Sequence, residues 1–196
     1  MQTLTLLMIV LIAVAFYVAS VYNGLNILKT QITASIQEIG NQLKRQASLI
    51  PNLESAVKGY MGQEKSIFKM LTDARKSITQ AEDSGKMKDI DQAIDKIQGL
   101  MPQLRVVLES NPEIKSDQAV VKFMNELTDT SDKLTYARRS LIDLTQSFNQ
   151  KLVVFPSNLV AKLFGFKPEK GLATATSGEH VSVSDEDMKM PKVDLS

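Results

Sequence analysis

The chain has 196 residues, room for one sizeable core plus appendages, which excludes a large multidomain enzyme. Lys plus Arg is 23 against 22 for Asp plus Glu, and a formal net charge of +1 supplies no basic field of the kind a nucleic-acid binder carries. There is no Cys and a single His, His180, which excludes disulfides, thiolate metal sites and cysteine nucleophiles. The absence of Trp and only 6% aromatic residues in a 43% hydrophobic chain favour aliphatic helix packing over a β-sandwich.

Residues 1–28 carry no charged side chain, and residues 4–21 read LTLLMIVLIAVAFYVASV. About 20 apolar residues at 1.5 Å rise cross a ~30 Å hydrocarbon core. A cleaved signal peptide would want a basic residue before the run and a small-x-small site after it, so an uncleaved anchor over residues 1–22, with Tyr17 and Tyr22 at its far interface, is the preferred reading. Lys29, Lys44 and Arg45 follow the span, and that bias predicts a short N-terminus outside and the bulk of the chain in the cytoplasm.

Beyond the anchor, apolar residues recur at alternating spacings of three and four. One stripe runs from Leu25 through Ile32, Ile39 and Leu43 to Ile50, and a second from Leu53 through Val57, Tyr60 and Leu71 to Ala81. A third runs from Ile90 to Leu108, and a fourth from Val120 to Phe148, interrupted by Thr130 and Ser131. The mean period of 3.5 is that of helices packed at about 20°. Pro51, Gly85 and Asn111-Pro112 mark the breaks, Ser116 or Asp117 can cap the last helix, and Pro102 predicts a kink because heptad spacing is kept on both sides of it. The predicted fold is all-α: an N-terminal transmembrane helix continuing into an antiparallel four-helix up-and-down bundle. The helical domain covers residues 23–167, with helices at about 23–49, 51–84, 87–110 and 116–152 and a short segment at 156–166. In that arrangement the turns around 46–52 and 109–117 form the tip distal to the membrane. From residue 168 to 196 there is no aromatic residue, and three Lys face six acidic residues, so a disordered tail is expected.

Chemistry is sparse. His180 lies in that tail, so no Ser-His pair is expected. A di-metal bundle site would need Glu-x-x-His on facing helices, and the glycines form no phosphate-binding loop. Neither a cofactor, a metal nor a catalytic residue is expected, and the chain reads as a non-enzyme. Lys44-Arg45 and Arg138-Arg139 could bind phosphate or an acidic partner, with surface ion pairs as the plainer reading.

One segment carries more than a pattern. Residues 42–60 read QLKRQASLIPNLESAVKGY, which closely resembles the hallmark of the bacterial LemA family. Tyr22-Asn23-x-Leu25, Glu64, Ala74-Arg75, Ala137-Arg138, Phe155-Pro156 and Phe164-Gly165-Phe166 stand where that family has similar residues, so the resemblance covers roughly residues 20–167. The departures are a missing aromatic residue in the first helix, Gly40-Asn41 for an acidic position, Gln63 for His, and Leu141-Ile142 for a Tyr-Asn pair. The resemblance implies a membrane-anchored antiparallel four-helix protein, no established reaction, and partnership with another membrane protein, a membrane metalloprotease or its neighbours being one candidate.

Two surfaces are singled out. Leu49, Ile50, Pro51 and Leu53 would staple the distal turn, and Lys44, Arg45, Asn52 and Lys58 around it form a candidate partner-binding tip; a purely structural role for the motif is the rival. Near the bilayer, Phe155, Leu159, Lys162, Leu163, Phe164 and Phe166 either lie in the membrane interface or cover the open end of the bundle core. The expected function is a scaffold or adaptor that touches lipid through residues 4–21 and binds a membrane protein or a second copy of itself, with no nucleic-acid partner. The alternative is a sensory or ligand-binding bundle signalling through its transmembrane helix.

Overall fold

The computed structural model describes residues 1–58 and 65–172, excluding the side chains of residues 65–67 and Leu108. The described residues are all-helical, without a strand: α1 (Gln2–Val57), α2 (Lys65–Ser84), α3 (Met87–Ser110), α4 (Pro112–Ser116), α5 (Gln118–Val153) and α6 (Ser157–Leu163). The apolar run and the first stripe are one continuous helix, and α1 is the one helix here long and apolar enough to cross a membrane. Its surroundings change along its length. Leu4 to Phe16 are exposed, whereas Leu25, Ile32, Ile39, Leu43, Ile50, Leu53 and Val57 are buried.

α1 does not end before Pro51. Leu49-Ile50-Pro51-Asn52-Leu53 lies inside the helix, which continues to a cap at Lys58, so the turn expected around residues 46–52 is corrected to an uninterrupted helix. An interior proline removes one i→i−4 hydrogen bond and crowds the preceding turn, costing about 3 kcal/mol. Leu49, Ile50, Leu53 and Val57 are all buried on one side, and each apolar side chain so placed gains about 1.5–3 kcal/mol, so burial outweighs the proline. The expected helix at 51–84 accordingly starts only at Lys65; Tyr60 and Glu64 fall outside the described residues, as does the connection at 59–64.

The remaining breaks follow local chemistry. Gly85 takes φ 58°, its amide donates to Ala81 O at 3.0 Å, and α2 turns into α3 within two residues. Asp89 in the first turn of α3 accepts from Ser84 Oγ at 2.6 Å and ties the two helix ends together. α3 runs through Pro102 to Ser110, as the unbroken heptad spacing predicts. Pro112 opens α4, a single-turn helix absent from the expected elements. Asp117, extended, then caps α5 by accepting from the amides of Ala119 and Val120 at 2.8 and 3.2 Å.

α1 packs chiefly on α5, α2 on α3 and on α1, and α3 on α5. The buried leucines, isoleucines and alanines of the stripes form one hydrophobic cluster extending from Leu25 to Leu172. Within residues 168–172, assigned by sequence to a disordered tail, Glu169 and Leu172 are fixed against the helices. Asn149 exchanges two hydrogen bonds of 2.9 Å with the Glu169 backbone, and Leu172 is buried. The rest of that expected tail, residues 173–196 with His180, lies outside the described residues.

Candidate interaction surface

Because α1 is unbroken at Pro51, the residues assigned to a distal tip lie along a helix face. At 100° per residue Lys44, Ser48, Asn52, Ser55 and Lys58 share one side with Arg45 at its edge, while Gln42, Leu43, Gln46, Leu49, Ile50 and Leu53 occupy the opposite side and are buried. The four candidates are all exposed, and they span about 21 Å of helix. Ser48 Oγ donates to Lys44 O at 3.1 Å, Asn52 Nδ2 to Ser48 O at 3.0 Å and Ser55 Oγ to Pro51 O at 2.9 Å. Asn52 is therefore occupied by its own helix, while Lys44, Arg45 and Lys58 make no ion pair among the described residues.

The other basic pair is arranged differently. Arg138 on α5 reaches Asp91 and Asp95 on α3, both at 2.8 Å, and is only 19% exposed. This is the ion pairing expected of it, and it occupies the guanidinium. Partial burial pushes the Asp91 carboxyl above its usual range; the Arg138 charge pulls it back and that of Asp95 pushes it further up. No group of three or more His, Asp or Glu among the described residues is placed to hold a metal ion.

The buried face of the same motif holds residues that the sequence reading passed over. Gln46 is fully buried, and neither its Oε1 nor its Nε2 has a hydrogen-bond partner among the described residues. Gln42, one turn earlier, donates to Glu38 at 2.7 Å. On α5 Thr130, which bonds Leu127 O at 2.9 Å, and Ser131 are buried as their heptad positions predicted. A stripe counted through Gln46, at 43, 46, 50, 53 and 57, keeps the three-four alternation and would have revealed both its burial and the continuity of α1.

The membrane-proximal candidates come together at the end of α5. The α6 C-terminus closes with Phe166 N–H donating to Ala161 O at 3.0 Å and Gly165 N–H to Lys162 O at 3.2 Å, a Schellman pattern that requires Gly165 at φ 70°. That reversal puts both flanking rings on α1: Phe164 lies 4.8 Å and Phe166 5.9 Å from Tyr22, ring centre to ring centre. Phe166 also meets Phe148, at 6.2 Å. Val160 and Ala161 are buried, so part of the segment covers the core, yet Phe155, Leu159, Lys162, Leu163 and Phe164 remain exposed.

An open groove runs between α1 and α5, lined by Gln31, Ser35, Ser140 and Leu144 among others. Comparison with curated proteins finds no match. The family model for the LemA family matches residues 35–184, which takes in the exposed basic face, the buried glutamines and every helix from α2 to α6. The chain belongs to the LemA family.

Proposed function

We propose that the protein is a single-span membrane scaffold or adaptor without catalytic activity, whose helical domain lies in the cytoplasm and binds another membrane protein through the exposed face of α1 carrying Lys44, Arg45, Asn52 and Lys58. The observation that carries this reading is that the basic face of α1 is left open: Arg138 on α5 is consumed by Asp91 and Asp95, whereas Lys44, Arg45 and Lys58 project together from one continuous helix and make no ion pair among the described residues. Surface ion pairs add only about 0–1 kcal/mol to folding, so stability has little use for these charges, while a charged rim steers and orients an acidic partner.

An antiparallel four-helix bundle of α1, α2, α3 and α5 is the architecture we assign to the domain. Support comes from registers that run in opposite directions: Tyr22 meets Phe164 while Gln31 and Ser35 share a groove with Leu144 and Ser140, and Asp91 meets Arg138 while Gln98 meets Thr135. The membrane assignment is supported by the uniformly exposed apolar side chains of residues 4–16, which no neighbour among the described residues covers.

The test is in-membrane crosslinking of the full chain followed by identification of the captured protein. Lys44→Glu with Arg45→Glu should leave the melting temperature within a few degrees of the parent and abolish crosslinking to the main partner. Crosslinking at parental yield would remove this face from the interface. A cysteine at Ser84, labelled in intact cells by an impermeant reagent, checks the orientation: protection is expected, and labelling from outside would reverse it.

A further inference from the structure

We propose that the corner between α5 and α6 is a second membrane contact, a foot that lays Phe155, Leu159 and Leu163 into the headgroup region of an anionic bilayer beside the point where α1 leaves it. The inference rests on the reading of residues 4–21 as the membrane span. Position carries it first. The apolar run ends at Val21, and the corner is fastened one residue later, through Phe164 and Phe166 on Tyr22. Two residues further, Lys151 Nζ lies 3.3 Å from where a β-carbon on Gly24 would stand. If α1 crosses the bilayer, the end of α5 is therefore at its surface.

Surface character carries it second. Val153, Phe155 and Leu163 are 73%, 75% and 74% exposed, with Leu159 and Val154 beside them, in a protein whose other helices beyond the span bury their apolar stripes. A cluster of that kind marks a contact rather than scattered surface residues. Charge carries it third. Lys151, Lys162 and Lys167 are exposed within the same stretch, and the one acidic residue from 151 to 170, Glu169, is paired with Lys29 at 3.5 Å. Apolar side chains with a basic rim fit anionic headgroups over acyl chains. So short a segment would bind a bilayer weakly alone, but α1 holds it there, and at that effective concentration a weak contact is populated.

The chain has no Trp, so single-Trp variants of the full-length protein report depth directly. Leu163→Trp, Val14→Trp and Val106→Trp are compared in phosphatidylcholine–phosphatidylglycerol vesicles with and without brominated acyl chains. Quenching of the Trp at 14 and at 163, but not of that at 106, is expected. Quenching at 14 without quenching at 163 overturns the foot and leaves the span standing; no quenching at 14 overturns both. Emission at 163 that is blue-shifted yet unquenched by bromine assigns the surface to a protein or a second copy and overturns the lipid assignment. Adding Lys162→Glu and Lys167→Glu to Leu163→Trp should reduce quenching roughly twofold or more in the anionic vesicles and leave it unchanged in phosphatidylcholine alone. An equal effect, or none, in both would remove the anionic preference.

Discussion

The two halves of α1 are one helix with opposite surfaces. From Leu4 to Phe16 every large apolar side chain is exposed on all sides of the helix, while between Leu25 and Val57 the residues Leu25, Ile32, Ile39, Leu43, Leu49, Ile50, Leu53 and Val57 form one side buried to 7% exposure or less, with Ile27, 57% exposed, off that side. Periodicity separates them as sharply as composition does. An all-round apolar surface has no partner inside the protein and is suited to hydrocarbon; a stripe at three-four spacing is suited to neighbouring helices and leaves the other side free for Lys44, Arg45 and Lys58. On the reading of residues 4–21 as a membrane span, one continuous helix serves two solvents and carries the basic face away from the bilayer.

The largest expected effect separates the halves directly. Leu43→Ala should lower the stability of the helical domain by about 2–5 kcal/mol in urea unfolding of the detergent-solubilised protein, because Leu43 is 2% exposed. Leu7→Ala, at a position 60% exposed, should shift it by no more than about 0.5 kcal/mol. Similar losses at both positions would mean that the first half also packs against protein.

The striped half also contains a polar position that can be improved. Gln46→Met removes an amide with no partner among the described residues and keeps a side chain of similar length, so a gain of about 1–3 kcal/mol is expected from the urea midpoint. A loss would show that the amide holds something, water or a ligand, and would favour the sensory alternative over the adaptor.

Arg138 contrasts with the free basic face. Arg138→Ala should cost about 1–3 kcal/mol, since it strands the half-buried Asp91, whereas the double charge reversal at Lys44 and Arg45 should cost far less. The pH dependence follows from the raised Asp91 carboxyl. Its folded form holds the proton more tightly than the unfolded form, whose ordinary value is 3.8, so its contribution to stability is full below that value and is lost as pH rises through the folded pKa. Relative to Asp91→Asn, the parent should therefore lose stability as pH rises from about 4 and then level off. A relative gain over that window would mean that the Arg138 attraction outweighs burial.

Much of this fold was legible because burial follows spacing. Leu25, Ile39, Ile97, Leu127, Leu134 and Phe148 were in the stripes and are in the core, and Gly85 ends α2 at positive φ as its position suggested. Pro51 reads as a helix start because proline in a first helical turn and proline inside a helix look alike locally; packing on both sides decides between them. Even spacing across Pro102 marks α3 as one helix, and the same evenness exists across Pro51 once Gln46 is counted as a core position. The exposure of Lys44 and Arg45 was legible from the phase of the first stripe. The Tyr22, Phe164 and Phe166 cluster was not, since it joins residues more than 140 positions apart and no local pattern encodes such a contact.

The continuity of α1 through Pro51 decides where the basic face stands, and a spin-label distance between Asn41 and Lys58 in the full-length protein measures it. Both sites are exposed. An unbroken helix separates their α-carbons by about 25 Å along its axis. A turn at Pro51 would fold the two segments side by side at roughly 10 Å. A single population near the longer distance is the expected result, and a population near the shorter one would contradict the account.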